Sequence, residues 1–123
     1  MENIRIIKSQ SEYFIVAELG TLLLNKEFIK EMGEPLTYDR NQFWYFAYHD
    51  DRVVGFICHN HGNILYAYTY PGLRKIGVFK ALYNEIPDRP WKVNSSNMAL
   101  PIYLKLGFKI IKSYKICHKL QKF

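Results

Sequence analysis

Residues 70–79 read Tyr70-Pro71-Gly72-Leu73-Arg74-Lys75-Ile76-Gly77-Val78-Phe79, and across them the character of the chain changes. The residues before them, Ile64-Leu65-Tyr66-Ala67-Tyr68-Thr69-Tyr70, are β-branched and aromatic and read as a strand. After them Val78, Phe79, Leu82, Tyr83 and Ile86 recur at helical spacing until Pro87 and Pro90 stop the pattern. A strand that turns through glycines and a basic pair into a helix exposes the helix's first amides, which have no partner and carry the positive end of the dipole. Arg74 and Lys75 add charge beside them, and Gly77 leaves room for an anion to reach the backbone. The stretch is not a nucleotide-hydrolysing loop: Gly72 and Gly77 have its separation, but Val78 stands where lysine is needed and no Ser or Thr follows. Nor is there a G-x-G-x-x-G after an early strand, so a dinucleotide fold fails.

Upstream, residues 43–49 are dense in aromatics, Asp50-Asp51 supplies a turn, and residues 53–58 are apolar and β-branched. His61-Gly62-Asn63 makes a second turn, so residues 43–70 predict an antiparallel three-strand meander. Both faces of residues 43–48 are apolar, which predicts a strand covered on two sides. Residues 4–8 form an opening strand. Ser9 and Glu12 then have capping-box spacing, and Tyr13, Val16, Ala17, Gly20, Leu23 and Leu24 follow at helical intervals until Gly33 and Pro35. Downstream, residues 91–94 predict a short strand, and residues 97–106 a helix capped by Ser96 or Asn97 and closed at Gly107. The last stretch fits two periods at once: Phe108, Ile110, Tyr114, Ile116 and Leu120 alternate, while lysines 105, 109, 112, 115, 119 and 122 recur at helical intervals.

The whole chain has 123 residues, 49% hydrophobic and 23% charged, with no linker or repeat, which predicts one domain over 1–123. No apolar run approaches the roughly 18 residues of a membrane span, and the start lacks a secretory pattern, so a cytoplasmic protein with no membrane partner is expected. Cys58 and Cys117 have no metal-knuckle spacing and read as reduced, half-buried thiols; no metal is expected. A net charge of +6 favours an anionic partner without identifying it.

Asn97-Met98-Ala99-Leu100-Pro101-Ile102-Tyr103-Leu104-Lys105-Leu106-Gly107-Phe108 resembles the Asn-x-x-Ala-x-x-x-Tyr-x-x-x-Gly-Phe signature of the GCN5-related N-acetyltransferases (GNAT) at Ala99, Tyr103, Gly107 and Phe108, with Asn97 one place closer to the alanine than the signature has it. Residues 74–79 resemble that family's pyrophosphate loop, Arg/Gln-x-x-Gly-x-Gly/Ala, with Phe79 in the last place. The order and spacing of the two motifs also match. The resemblance implies an α/β (α+β) fold with a central mixed, mostly antiparallel, splayed sheet and helices on both faces. It implies acetyl-CoA as donor, its pyrophosphate on Arg74, Lys75, Ile76, Gly77, Val78 and Phe79, and its pantetheine along Tyr68, Thr69 and Tyr70. Asn97, one place from the signature's asparagine, is the implied coenzyme A contact, and Tyr103 is the implied general acid.

The activity implied is direct attack of a primary amine, on a small molecule or a peptide, upon the thioester in a ternary complex, with neither cysteine beside a base. The residues give no base on the fourth strand; His59, His61, Asp39 or water are the candidates. Tyr66, Tyr68 and Tyr70 alternate onto one face, with packed core the default reading. Two other functions fit the same residues. One is a modifier of nucleic-acid bases, the lysines of 105–122 tracking phosphates; the other is a coenzyme A-binding regulator with weak catalysis. A homodimer is open in each case.

Overall fold

A computed structural model of the chain describes residues 4–20, 41–69, 77–96, 99–115 and 117–123, with Ser96 described for its backbone only. Seven strands form one sheet: β1 (Ile4–Ser9), β2 (Phe43–His49), β3 (Arg52–Asn60), β4 (Asn63–Thr69), β5 (Lys92–Ser96), β6 (Lys109–Ser113) and β7 (Cys117–Gln121). Their spatial order is β1-β2-β3-β4-β5-β7-β6, and β4 with β5 is the parallel pair in an otherwise antiparallel sheet. Helix α1 (Glu12–Leu19) packs on one face, while α2 (Val78–Glu85) and α3 (Leu100–Lys105) pack on the other. This is the mixed, mostly antiparallel sheet with helices on both faces that the resemblance implied.

The meander forms as its turns dictate. Asp50, Asp51, His61 and Gly62 all have positive φ, so each hairpin has two left-handed central residues, the twist that suits paired strands. β2 is buried over five of its seven residues, because Trp44, Phe46 and Tyr48 face α1 while Tyr45 and Ala47 face α2 and α3. Irregular register between Cys58 and His59 inserts a bulge at Leu65 of β4. Ile64 therefore faces α2, whereas Tyr66 and Tyr68 face α1 within a cluster of Trp44, Phe46 and Phe56. The packed-core reading of those two tyrosines holds.

Three local expectations are corrected. The N-cap of α1 is Ser11, whose Oγ accepts from the Phe14 amide; Ser9 remains paired with Trp44 in β1 and is not free to cap. The buried side of α1 is Ile15 and Leu19, with Tyr13 88% and Val16 46% exposed, the reverse of the predicted stripe. Phe14 meets Phe46 edge-on at 5.7 Å, and Glu18 bonds the Tyr48 hydroxyl, so the helix is turned toward these anchors. Burial and then Glu18 push the Tyr48 phenol up to about 12. Third, α3 begins at Leu100 behind Ala99, so neither Ser96 nor Asn97 occupies the cap position. Pro101 sits in the first turn, where an absent N–H breaks no helical bond. The helix ends as expected: Gly107 at φ 96° lets its amide reach the Leu104 carbonyl and the Phe108 amide reach that of Tyr103.

Gly55 sets how closely α2 approaches the sheet. A Cβ there would lie 2.7 Å from the Tyr68 carbonyl oxygen and 3.0 Å from Val78 Cγ1. Gly55→Ala is expected to destabilise the fold by about 1–3 kcal/mol in urea unfolding, because β4 or α2 must move.

Candidate functional site

The parallel ladder between β4 and β5 comprises two pairs, Asn63 with Lys92 and Ile64 with Val93. Beyond it, among the described residues, β5 pairs onward with β7 alone, so the ladder closes at one end and the two strands part toward their C-terminal ends. Trp91 anchors the closed end: its indole donates to the Pro87 carbonyl, and its own carbonyl accepts from the Lys122 amide. At the other end Thr69 finishes β4 and Ser96 finishes β5.

Helix α2 starts over that open end. Val78 packs on Gly55, which pairs with Thr69, so the first turn of α2 lies above the end of β4. Gly77 holds the N-cap position at φ 83°, and a Cβ built there meets nothing within 4 Å among the described residues. The first intrahelical bond runs from the Ala81 amide to the Gly77 carbonyl, leaving the amides of 78–80 ahead of the helical ladder. No acidic residue stands in this turn. Dipole, amides and open approach together fit a diphosphate.

Tyr103 of α3 is 3% exposed, and its ring lies edge-on to Phe79 at 5.4 Å and to Phe108 at 5.2 Å. Burial, with Tyr83 adding to it, pushes its phenol well above the ordinary value. Phe79, the residue that departs from the loop pattern, directs its ring to Tyr103 and Tyr83 within the core. Its bulk thus joins α2 to α3. Of the sequence-predicted site residues, the structure brings Tyr68, Thr69, Gly77, Val78, Phe79 and Tyr103 to this end of the sheet. Tyr70, Arg74, Lys75, Ile76 and Asn97, and the candidate base Asp39, lie outside the described residues.

The two histidines offered as bases stand elsewhere. His61 is in the β3–β4 turn and His59 pairs with Ile64, five residues of strand, or about 17 Å, from Thr69. Instead, His59 is structural: 6% exposed, stacked on Phe43 at 5.2 Å and Tyr45 at 5.6 Å, with Trp91 edge-on at 4.8 Å. Its Nε2 is buried without a hydrogen-bond partner. Burial first, then Lys8 and Arg89, lower its pKa from 6.5 to about 4. The unfolded chain takes up this proton near pH 6.5, while the folded one resists it until about pH 4. Stability from this group is therefore complete above 6.5 and lost as pH falls toward 4, on the order of 3 kcal/mol in all. His59→Phe keeps a ring in the stack, and its urea midpoint is expected to fall less than the wild type's between those pH values.

Cys58 is fully buried rather than half-buried, behind Trp44 and Phe56, and burial pushes its thiol up; Cys117 is half-buried. Among the described residues no three His, Cys, Asp or Glu side chains gather as a metal site would need. A shallow cleft of about 230 Å³ beside Tyr83, Pro87, Trp91 and Lys122 lies at the C-terminal end of α2, away from Gly77. Among the described residues no helix is long and apolar enough to cross a membrane.

A family model described as an acetyltransferase (GNAT) domain matches residues 9–119. Solved structures of the same fold include an acetyltransferase of the GNAT family from Staphylococcus aureus Mu50, 14% identical over 97% of this chain and 98% of that one, with a TM-score of 0.74. Another is the PaiA N-acetyltransferase of Thermoplasma acidophilum in complex with coenzyme A, 14% identical over 96% and 98%, TM-score 0.67. A third is a GNAT family acetyltransferase from Elizabethkingia anophelis with acetyl-CoA bound, 16% identical over 99% of each chain, TM-score 0.67. No curated protein matches the chain. At these identities the likeness to solved structures is one of fold.

Proposed function

The chain belongs to the acetyltransferase (GNAT) family, and from that premise we propose that it moves an acetyl group from acetyl-CoA to a primary amine by direct attack in a ternary complex. One observation carries this reading: the β4–β5 ladder stops after two pairs, and the first turn of α2 and the ring of Tyr103 flank the end where the strands part. An amide-bearing pantetheine chain suits such a gap, since main-chain groups along a strand edge can pair with it. Acetyl-CoA supplies an activated thioester; the protein supplies position, dipole and a proton. Amides 78–80 hold the diphosphate, and Arg74 and Lys75 stand just before them in the sequence. Tyr103 gives a hydrogen bond, then a proton, to the departing sulfur as the neutral amine attacks, and the proton that the nitrogen sheds returns through water to the phenolate. Cys58 is buried among Trp44 and Phe56, which speaks against an acyl intermediate on that thiol; Cys117, half-buried and paired with Ser96, is the thiol that Cys117→Ser should show to be dispensable for turnover.

Calorimetry with acetyl-CoA, followed by thiol release and product mass across a panel of small and peptide amines, tests the reading. Heat of binding with turnover supports it. Heat without turnover across the panel makes the chain a binding module, and no heat refutes both.

A further inference from the structure

Charge is divided unevenly along this chain. Residues 89–123 contain eight Lys and Arg and no Asp or Glu, whereas residues 1–88 contain nine basic and eleven acidic residues. The basic third builds β5, α3, β6 and β7, the limb beyond the β4–β5 parting. Register assigns its side chains to faces. Val93 and Leu120, which pair, point into the core under α2 and α3. Their neighbours Lys92, Asn94, Lys119 and Gln121 therefore take the opposite face. The register of β6 shifts between Ile110 and Lys112, so Lys109 pairs with Gln121 and Lys112 with Lys119, and both join that face. The three-residue spacing of these lysines, helical by eye, comes from the bulge at Ile111.

Lys92, Lys109, Lys112 and Lys119 are all exposed. Lys112 and Lys119 stand directly across from each other, an arrangement that repels, and among the described residues neither has a carboxylate beside it. Helix α1 covers only the β2–β4 part of this face of the sheet.

We propose that this face, from β5 across β7 to β6, docks the phosphate backbone of a nucleic acid without reading sequence. Four ammonium groups on a flat polar surface complement a row of phosphates. All basic residues beyond Arg89 are lysine, point charges without the bidentate fork that reads guanine or clamps one site. A protein partner would need an apolar anchor at the centre of the patch, where this face offers lysine, asparagine and glutamine; the exposed Tyr114 ring lies beyond Lys112, 5.1 Å from its ammonium, where a base or sugar could also lie against it. A phosphate backbone needs none. The donor's diphosphate does not use this surface, because the amides at the start of α2 lie on the other side of the sheet. The inference stands apart from acyl transfer.

Fluorescence anisotropy of the full-length protein with a labelled mixed-sequence DNA duplex tests it. About four phosphate contacts predict a slope of log K against log salt near −3 to −4. Lys112→Gln/Lys119→Gln is expected to weaken binding about tenfold at low salt and to flatten the slope by roughly 2, with acetyl-CoA binding unchanged. Saturating coenzyme A should leave the duplex bound, and polyglutamate should compete poorly. The proposal is overturned if no salt-sensitive binding occurs, if the double variant keeps the wild-type slope, if coenzyme A displaces the duplex, or if polyglutamate competes as well as DNA does.

Discussion

Gly77→Glu is expected to weaken acetyl-CoA binding by about three powers of ten in calorimetry while leaving a folded protein. Gly77 is the N-cap of α2 at φ 83°, and a Cβ at this position meets no packed atoms among the described residues. A glutamate therefore costs about 1–2 kcal/mol of backbone strain but no collision. Its carboxylate then satisfies the same dipole and amides that a diphosphate would use, and repels the phosphates as well. Gly77→Asn separates the two effects. Asparagine tolerates the left-handed conformation and carries no charge, so it should bind within about tenfold of wild type. If the Glu variant binds normally, the phosphates do not seat on this helix. If Asn loses as much as Glu, backbone shape rather than charge is what the ligand reads.

The motifs were legible because each rests on a local backbone demand. Gly77 takes a left-handed φ at a helix start, and Gly107 takes one at a helix end with both expected terminal bonds in place. Turn chemistry likewise gave the meander, since Asp50-Asp51 and His61-Gly62 fold as their residue types favour. What stayed illegible depends on contacts between distant residues. The face of α1 is chosen by Phe46 and Tyr48 on a strand some thirty residues later, so the period count selected the wrong stripe over residues 13–20; Leu23 and Leu24 lie outside the described residues. Ser9 had the right spacing to Glu12 but was committed to pairing with Trp44.

Bulges hid the rest. One extra residue at Leu65 turns Ile64 and Tyr66 to opposite faces, and another at Ile111 disguised a strand as a helix. The two histidines offered as bases were misplaced for a similar reason. His59 and His61 lie close in sequence to the fourth strand, yet at the end where it is joined to β5 rather than parted from it. Sequence distance carried no information about which end that was. Only the parallel pairing of β4 with β5 fixes it.

Tyr103→Phe should leave acetyl-CoA affinity within about twofold and lower kcat by about 10²-fold. The ring is what packs, edge-on to Phe79 and Phe108, and phenylalanine retains it, so the substitution removes a hydroxyl and little else. Burial keeps that hydroxyl protonated: with its pKa pushed above the ordinary 10.0, the acid form persists through the alkaline range. A pH profile of kcat should therefore rise with deprotonation of the acceptor amine, near pKa 10, and show no descending limb below that value. The same shift sets the timing of the proton. A thiol's pKa of about 8.5 lies well below that of the buried phenol, so full transfer to free thiolate is uphill. On the proposed mechanism the hydroxyl would act first as a hydrogen-bond donor to sulfur while charge builds, and its proton would move as the bond breaks. A solvent isotope effect on single-turnover rate, present in wild type and absent in Tyr103→Phe, would report that motion. An unchanged kcat in the variant would instead reduce Tyr103 to a packing residue joining α2 to α3.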